Sequence, residues 1–108
     1  MKFEEIDINQ LILKAVRDLK FKEMTFIQEF VLPSALDGKD VIGQSPTGSG
    51  KTAAFSIPLI QKIENGKGIQ ALILSPTREL ALQTTDMIKD ISRYKKVNVV
   101  TVYGGQPI

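Results

Sequence analysis

The sequence feature that most constrains this chain is a glycine-rich segment, residues 45–52, which reads Ser-Pro-Thr-Gly-Ser-Gly-Lys-Thr. It matches the pattern G-x-x-x-x-G-K-S/T from the sixth position onward, with Ser45 where Gly or Ala is usual. The apolar residues Val41 and Ile42 precede it, and a helical pattern from Thr52 to Ile63 follows. The segment therefore predicts a strand, a tight loop and a helix in direct succession.

A loop of this kind is suited to hold a polyphosphate. Gly48 and Gly50 permit dihedral angles that turn successive backbone N–H groups inward as an anion nest. The N-terminus of the following helix adds its partial positive charge. Lys51 is placed to reach the β and γ phosphates, and the Thr52 hydroxyl to ligate Mg²⁺. The alternative is a plain Gly/Ser turn that happens to precede a lysine.

Composition excludes several other chemistries. The 108 residues contain neither His nor Cys, which rules out disulfides, thiol nucleophiles, imidazole catalysis and zinc ligation by either residue. A net charge of +2 is too small for a polybasic nucleic-acid binder. No apolar run approaches the roughly 18–20 residues of a membrane span. We expect a single cytoplasmic domain with no membrane partner, whose chemistry rests on backbone amides, Lys, Arg, Ser, Thr and carboxylates.

Helical and strand patterns alternate along the chain. A first helix is expected after Asp7, its predicted cap, and a second after Thr25, with Pro33 breaking that second stretch. Residues 69–74 and 97–102 read as further buried strands separated by a helix over 79–92. This order predicts an α/β fold with parallel βαβ units, divided into a helical region 1–38 and a βαβαβ region 39–108.

Two residues upstream of the loop are candidates for recognising a base. The Gln28 amide offers a donor and an acceptor that complement the N6 donor and N7 acceptor of adenine. Phe21 offers an aromatic face for stacking. Each also has a simpler explanation, because Phe21 could be a core residue. Gln28 follows Thr25 at the spacing of an ordinary capping box.

Polar or glycine-rich segments also follow the two later strands. Residues 76–83 follow the second strand, and Gly104 and Gly105 follow the third. Because ligands bind at the carboxyl ends of strands in open α/β sheets, these segments and the phosphate loop are expected at one edge. The alternatives are an ion pair between Arg78 and a carboxylate such as that of Glu79, and an ordinary turn at the two glycines.

Together these segments resemble the start of a DEAD-box RNA helicase. The Q motif, motif I, motif Ia and the GG motif of that family occur in the family's order over essentially the whole chain. Residues 76–83 match motif Ia at every characteristic position. The departures are Met24 for the usual Pro, Lys20 for the usual Gly, and Ser45-Pro46 for the commoner Ala-Gln. The upstream aromatic of the Q motif corresponds to Phe3.

The resemblance implies a P-loop NTPase fold of the RecA-like, three-layer α/β/α type, present as an incomplete portion of about three strands. It implies ATP and Mg²⁺ as cofactors and single-stranded or structured RNA as a partner. The residues that would bind ATP are Phe21, Thr25, Gln28, Thr47, Gly48, Ser49, Gly50, Lys51 and Thr52. Of these, Thr25 would couple the base site to the phosphate loop, and Lys51 and Thr52 would serve catalysis. The residues that would face the RNA backbone are Thr77, Arg78, Gly104 and Gly105.

One part of the hydrolytic machinery is missing from the sequence. Neither later strand ends in a Walker B acid, and no Asp-Glu-Ala-Asp string occurs. We therefore expect an ATP- and RNA-binding segment that needs the remaining helicase parts for hydrolysis. We also expect unpaired strand edges that favour self-association. The competing hypotheses are a non-catalytic P-loop binding module and a different P-loop enzyme such as a small-molecule kinase.

Overall fold

The structure, a computed structural model, describes residues 1–46 and 48–104. Its helices are a short 3₁₀ turn, Phe3–Glu5, followed by α1 (Gln10–Asp18), α2 (Phe26–Leu36), α3 (Lys51–Lys62) and α4 (Arg78–Ile91). Within the described ranges, no helix combines the length and the apolar character that crossing a membrane requires. The predicted helical regions are confirmed, with small shifts at their ends.

The cap of helix α1 lies two residues later than predicted. Asn9, not Asp7, caps the helix, because its side-chain oxygen accepts a hydrogen bond of 2.8 Å from the backbone N–H of Leu11. The prediction of Asp7 was therefore wrong. Both residue types are good N-caps, and the sequence pattern alone does not separate positions two residues apart. The apolar face of α1 is buried at Ile12, Leu13, Ala15 and Val16.

Helix α2 begins as predicted and continues further than predicted. Thr25 and Gln28 form the expected capping box at its N-terminus. Pro33 does not break the helix, which was the expectation, but lies within it on the exposed side. Proline in a helix interior costs about 3 kcal/mol. Burial of the neighbouring Val31 and Leu32, at about 1.5–3 kcal/mol each, offsets that cost.

Helix α3 is the centre of the packing. It lies against α2 on one side and α4 on the other, and α4 also contacts α1. The main core consists of residues from all these elements, with Ile12, Leu32, Ile57, Ile60 and Ile91 fully buried. Lys95 fixes the end of α3, since its ammonium group donates hydrogen bonds of 2.6 and 2.9 Å to the carbonyls of Ile60 and Ile63. Helix α3 is thus packed against two helices and fixed at its C-terminal end.

The three expected strands are not formed within residues 1–46 and 48–104. The β-pairing recorded there is an isolated antiparallel bridge between Lys2 and Glu23. Segments 69–74 and 97–102 have no regular secondary structure, although from Lys96 to Gly104 exposed and half-buried residues alternate strictly, which is the side-chain period of a strand. The prediction of a three-stranded parallel sheet is therefore not confirmed.

The physical reason is that no other described segment pairs with these two. A strand needs a neighbour at about 4.8 Å to satisfy its backbone N–H and C=O groups. Segments 69–75 and 97–102 instead line a common groove of about 900 Å³ together with residues of α3 and α4. Ile69, Leu72, Leu74 and Val100 are more than 80% exposed there or beside it. The two segments therefore have strand-like sequences, but within the described residues they form no ladder of backbone hydrogen bonds.

Candidate nucleotide-binding site

Two glycines of the glycine-rich loop have the positive φ angles that the sequence predicted for them. Gly48 and Gly50 have φ angles of +84° and +90°, in the left-handed region that favours glycine. Gly50 is the residue directly before α3, and Lys51 is the first residue of that helix. The loop therefore bends tightly into a helix N-terminus, the arrangement that attracts phosphate groups.

The loop is closed on itself by hydrogen bonds around Ser49. The Ser49 hydroxyl lies 2.5 Å from the Ser45 hydroxyl and donates to the Pro46 carbonyl oxygen at 2.6 Å. The backbone N–H of Ser49 donates to the same carbonyl at 3.3 Å. Thr47, a predicted nucleotide-binding residue, lies outside the described residues. The backbone N–H of Ser49, which an anion nest would direct toward phosphate, is therefore hydrogen-bonded within the loop.

Gln28 connects helix α2 to the loop. Its Oε1 accepts a hydrogen bond of 2.9 Å from the Thr25 backbone N–H, and its Nε2 donates one of 3.2 Å to the Gly50 carbonyl. The side chain is buried, and both ends of its amide have protein partners. Each end retains one further hydrogen-bonding position, because the amide has two N–H groups and its oxygen two lone pairs. The structure thus brings Thr25, Gln28 and Gly50 together.

Phe21 lies next to the N-terminal segment. Its ring stacks on that of Phe3, with centroids 6.4 Å apart and ring planes 25° from parallel. The Met24 N–H donates to the Met1 carbonyl at 2.8 Å, which ties the two segments together. Both rings, with Lys2, Glu4, Lys22 and Glu23, line a cleft of about 430 Å³, a volume within the usual range of small-molecule pockets.

Lys51 and Thr52 occupy the first turn of α3. Lys51 is exposed and has no ion pair with another described residue. No group of three or more acidic residues in the described part of the chain could hold a metal ion by itself. Mg²⁺ commonly binds through phosphate oxygens, waters and one or two protein oxygens. The half-buried Thr52 hydroxyl fits one such ligand, with the phosphates supplying others.

The segments after the second and third predicted strands meet through a side-chain contact. The Arg78 guanidinium lies over the Tyr103 ring, 4.9 Å from its centre. Among the described residues, Arg78 forms no ion pair, so the alternative of a pair with Glu79 is not observed. Thr77 caps α4 by accepting a hydrogen bond of 3.2 Å from the Leu80 N–H. Gly104 is exposed, and Gly105 lies outside the described residues.

Sequence reasoning missed three features of these sites. The capping role of Thr77 was detectable, since a threonine directly before a helical pattern is a standard start signal. The stacking of Tyr103 on Arg78 was not, because it joins segments 25 positions apart in the chain. The one sequence signal for the Ser45–Ser49 contact was the serine at position 45, where the loop pattern usually has Gly or Ala.

Comparisons with known proteins agree with this geometry. A family model described as DEAD/DEAH box helicase matches residues 25–108. The chain is 48% identical over 109 aligned positions to the ATP-dependent RNA helicase CshA of Limosilactobacillus reuteri. That alignment covers 100% of this chain and 22% of the relative, so the chain spans about a fifth of the relative's length.

Solved structures are similar as well. A DEAD box protein from the hyperthermophile Methanococcus jannaschii superposes with a TM-score of 0.95 at 42% identity, over 99% of this chain and 30% of that one. A hypothetical ATP-dependent RNA helicase from Sulfolobus tokodaii gives 0.83 at 42% identity, over 93% of this chain and 29% of that one. These similarities support the predicted P-loop fold of the RecA-like type.

The contact between Gln28 and Gly50 yields a prediction about stability. A Cβ atom on Gly50 would lie 2.5 Å from Gln28 Nε2 and 3.0 Å from Thr25 Oγ1, and φ is +90° there. Gly50→Ala should lower the free energy of unfolding by about 2–4 kcal/mol, combining left-handed strain with the clash.

Gly66→Ala is the matched control. Its φ is +86°, but a Cβ atom there meets nothing within 4 Å. It should cost only about 1–2 kcal/mol, the strain of the left-handed conformation alone. Urea unfolding followed by circular dichroism measures both variants. Equal losses in the two would show that the contact between α2 and the loop contributes nothing.

Proposed function

The chain belongs to the DEAD/DEAH box helicase family, and we propose that it supplies the ATP-binding site and part of the RNA-binding surface of an ATP-dependent RNA helicase acting in the cytoplasm. Membership confirms the resemblance that the motifs indicated. In the proposed activity, ATP hydrolysis drives the unwinding of RNA duplexes or the remodelling of RNA–protein complexes. The relative of Limosilactobacillus reuteri bears the name of an ATP-dependent RNA helicase, which supports this assignment.

The observation that carries the proposal is the link between the phosphate loop and Gln28. The positive φ angles of Gly48 and Gly50 bend the loop into the N-terminus of α3, where phosphates are stabilised. Gln28 donates a hydrogen bond to the Gly50 carbonyl, so the residue proposed to bind the base directly contacts the loop proposed to bind the phosphates. In this assignment Gln28 reads adenine with its remaining donor and acceptor positions, and Phe21 provides an aromatic surface.

Lys51 and Thr52 complete the phosphate site in this proposal. Lys51 is exposed at the start of α3, free to place its charge on the β and γ phosphates. Thr52 would contribute one oxygen to Mg²⁺, and the bound ion would neutralise phosphate charge. Hydrolysis by this chain alone is not expected, because the sequence offers no acid after an apolar strand to orient the attacking water.

Nucleotide binding tests this assignment directly. The chain should bind ATP more tightly than GTP, measured by calorimetry with Mg²⁺ present. Lys51→Ala should weaken the binding of both nucleotides about 10-fold or more, because a charge-assisted contact of about 1.5–3 kcal/mol is lost. Gln28→Ala should reduce the preference for ATP over GTP.

Lys62→Ala serves as the control for Lys51→Ala, since Lys62 lies at the opposite end of the same helix. It should leave both affinities unchanged. Equal binding of ATP and GTP by the unsubstituted chain would reduce the site to a generic phosphate binder. That outcome would favour the alternative of a non-catalytic P-loop module.

The proposed RNA surface consists of Thr77, Arg78, Gly104 and Gly105. The stacking of Arg78 on Tyr103 brings the start of α4, which carries the first two residues, beside the residue that precedes Gly104. Arg78 is exposed, so its outer N–H groups can reach a phosphate while the ring supports the guanidinium plane. Contacts of this kind go to the RNA backbone, which predicts binding without sequence preference and with a strong salt dependence.

Binding of fluorescent single-stranded RNA tests this surface. Arg78→Ala should weaken binding about 3- to 10-fold and should flatten the dependence of affinity on salt concentration, because one phosphate contact is lost. Arg17→Ala is the control, since Arg17 lies on α1 and pairs with Glu4 at 3.4 Å. An unchanged salt slope in Arg78→Ala would contradict the assignment.

Self-association of the chain is a further part of the proposal. Segments 69–75 and 97–102 have no backbone pairing with the other described residues, and they present exposed apolar side chains beside a groove of about 900 Å³. Such edges recruit strands of other chains, so a second copy can supply the missing pairing.

Sedimentation equilibrium should show concentration-dependent dimers or larger species. Leu74→Lys, which places a charge at a side chain that is 85% exposed, should weaken association without loss of helix content. Lys39→Leu is the control, because it changes an exposed residue in the loop after α2, and it should not weaken association. A strictly monomeric chain with a single cooperative unfolding transition would contradict this part.

A further inference from the structure

Ser45 gives the phosphate loop a hydroxyl at the position where the motif usually carries Gly or Ala. The residue is half-buried, and its Oγ lies 2.5 Å from Ser49 Oγ. A glycine or alanine at this position could not make the contact. Any effect of the Ser45–Ser49 contact is therefore specific to this chain and is not shared by loops with Gly or Ala at this position.

The contact belongs to a set of three hydrogen bonds that converge on Ser49. Its hydroxyl donates to the Pro46 carbonyl at 2.6 Å, which leaves the Ser45 hydroxyl as the donor to Ser49 Oγ. The Ser49 backbone N–H also donates to the Pro46 carbonyl, at 3.3 Å. The side chain and the backbone N–H of Ser49 are thus both held by the neighbouring residues Ser45 and Pro46. We call these three bonds the Ser49 latch.

Phosphate binding and the latch compete for the same amide. An anion nest works only when successive N–H groups point into the loop toward the anion. With the latch formed, the Ser49 N–H points at the Pro46 carbonyl instead. We propose that Ser45 is a positioning residue that stabilises a closed phosphate loop and so sets the affinity and the phosphate-number selectivity of the nucleotide site.

The selectivity follows from which ligands must open the latch. A nucleoside di- or triphosphate, or pyrophosphate, needs the Ser49 amide and binds only to the open loop. Its apparent affinity is reduced by the fraction of molecules in which the loop is open. Adenosine monophosphate bound through its base does not need this amide. The Ser45 hydroxyl therefore lowers the affinity for ATP and ADP relative to AMP.

The test compares Ser45→Ala with Ser45→Thr, which retains the hydroxyl. Removing one hydrogen bond of the closed state, worth about 0.5–1.5 kcal/mol, should raise the affinity for ATP, ADP and pyrophosphate about 2- to 10-fold. The affinity for AMP should not change. Ser45→Thr should keep the original ATP affinity. Ser75→Ala is the control, because Ser75 is also half-buried but lies outside the phosphate loop, and it should change neither affinity.

A second measurement needs no nucleotide. Amide hydrogen exchange at Ser49 in the unliganded chain should be faster in Ser45→Ala than in the original chain, by about the same factor. Unchanged exchange, or an equal gain for AMP and ATP, would overturn the inference.

The inference rests on the proposed ATP site, and the two can fail separately. If no variant binds ATP, the proposed function fails, while the exchange rate at Ser49 still decides whether the latch exists. If ATP binds but Ser45→Ala does not bind it more tightly, the latch does not control affinity and only this inference fails.

Discussion

The amide of Gln28 is the interaction on which the rest of the site depends. It closes the capping box with Thr25 at the start of α2 and donates to Gly50 at the end of the phosphate loop. Because the side chain is buried, the loss of either partner would leave a polar group without a hydrogen bond, at a cost of about 1–3 kcal/mol. The starts of α2 and α3 are therefore fixed relative to each other before any ligand binds.

Features governed by a few neighbouring residues were predictable from the sequence. The capping box and the left-handed glycines depend on residue type and spacing alone, and the structure has both. The wrong predictions concern positions at which alternative local conformations are nearly equal in energy. Asn9 replaced Asp7 as the cap of α1. Pro33 stayed helical because burial of its neighbours outweighs its local cost.

Features that join distant residues were much less predictable. A strand is stable only beside another strand, so the apolar patterns of 69–74 and 97–102 predict a strand-like segment and not its partner. The structure preserves the pattern, as the alternating exposure from Lys96 to Gly104 shows, while the described residues form no ladder. Motif spacing likewise identified Arg78 but not Tyr103 beneath it, because nothing in the sequence relates a helix start to a residue 25 positions later.

The segment from Lys95 to Tyr103 nevertheless has a defined position, because side chains hold it where backbone pairing does not. Lys95 bonds to the end of α3, the Thr101 hydroxyl contacts that of Thr85 on α4, and Tyr103 stacks under Arg78. These contacts order the segment along its length and so reduce the conformational entropy that later strand pairing would have to overcome. A strand added from elsewhere would meet a segment that is already held in position. Thr77 and Arg78 are thus positioned by the start of α4 and by the contact with Tyr103, with no need for strand pairing among the described residues.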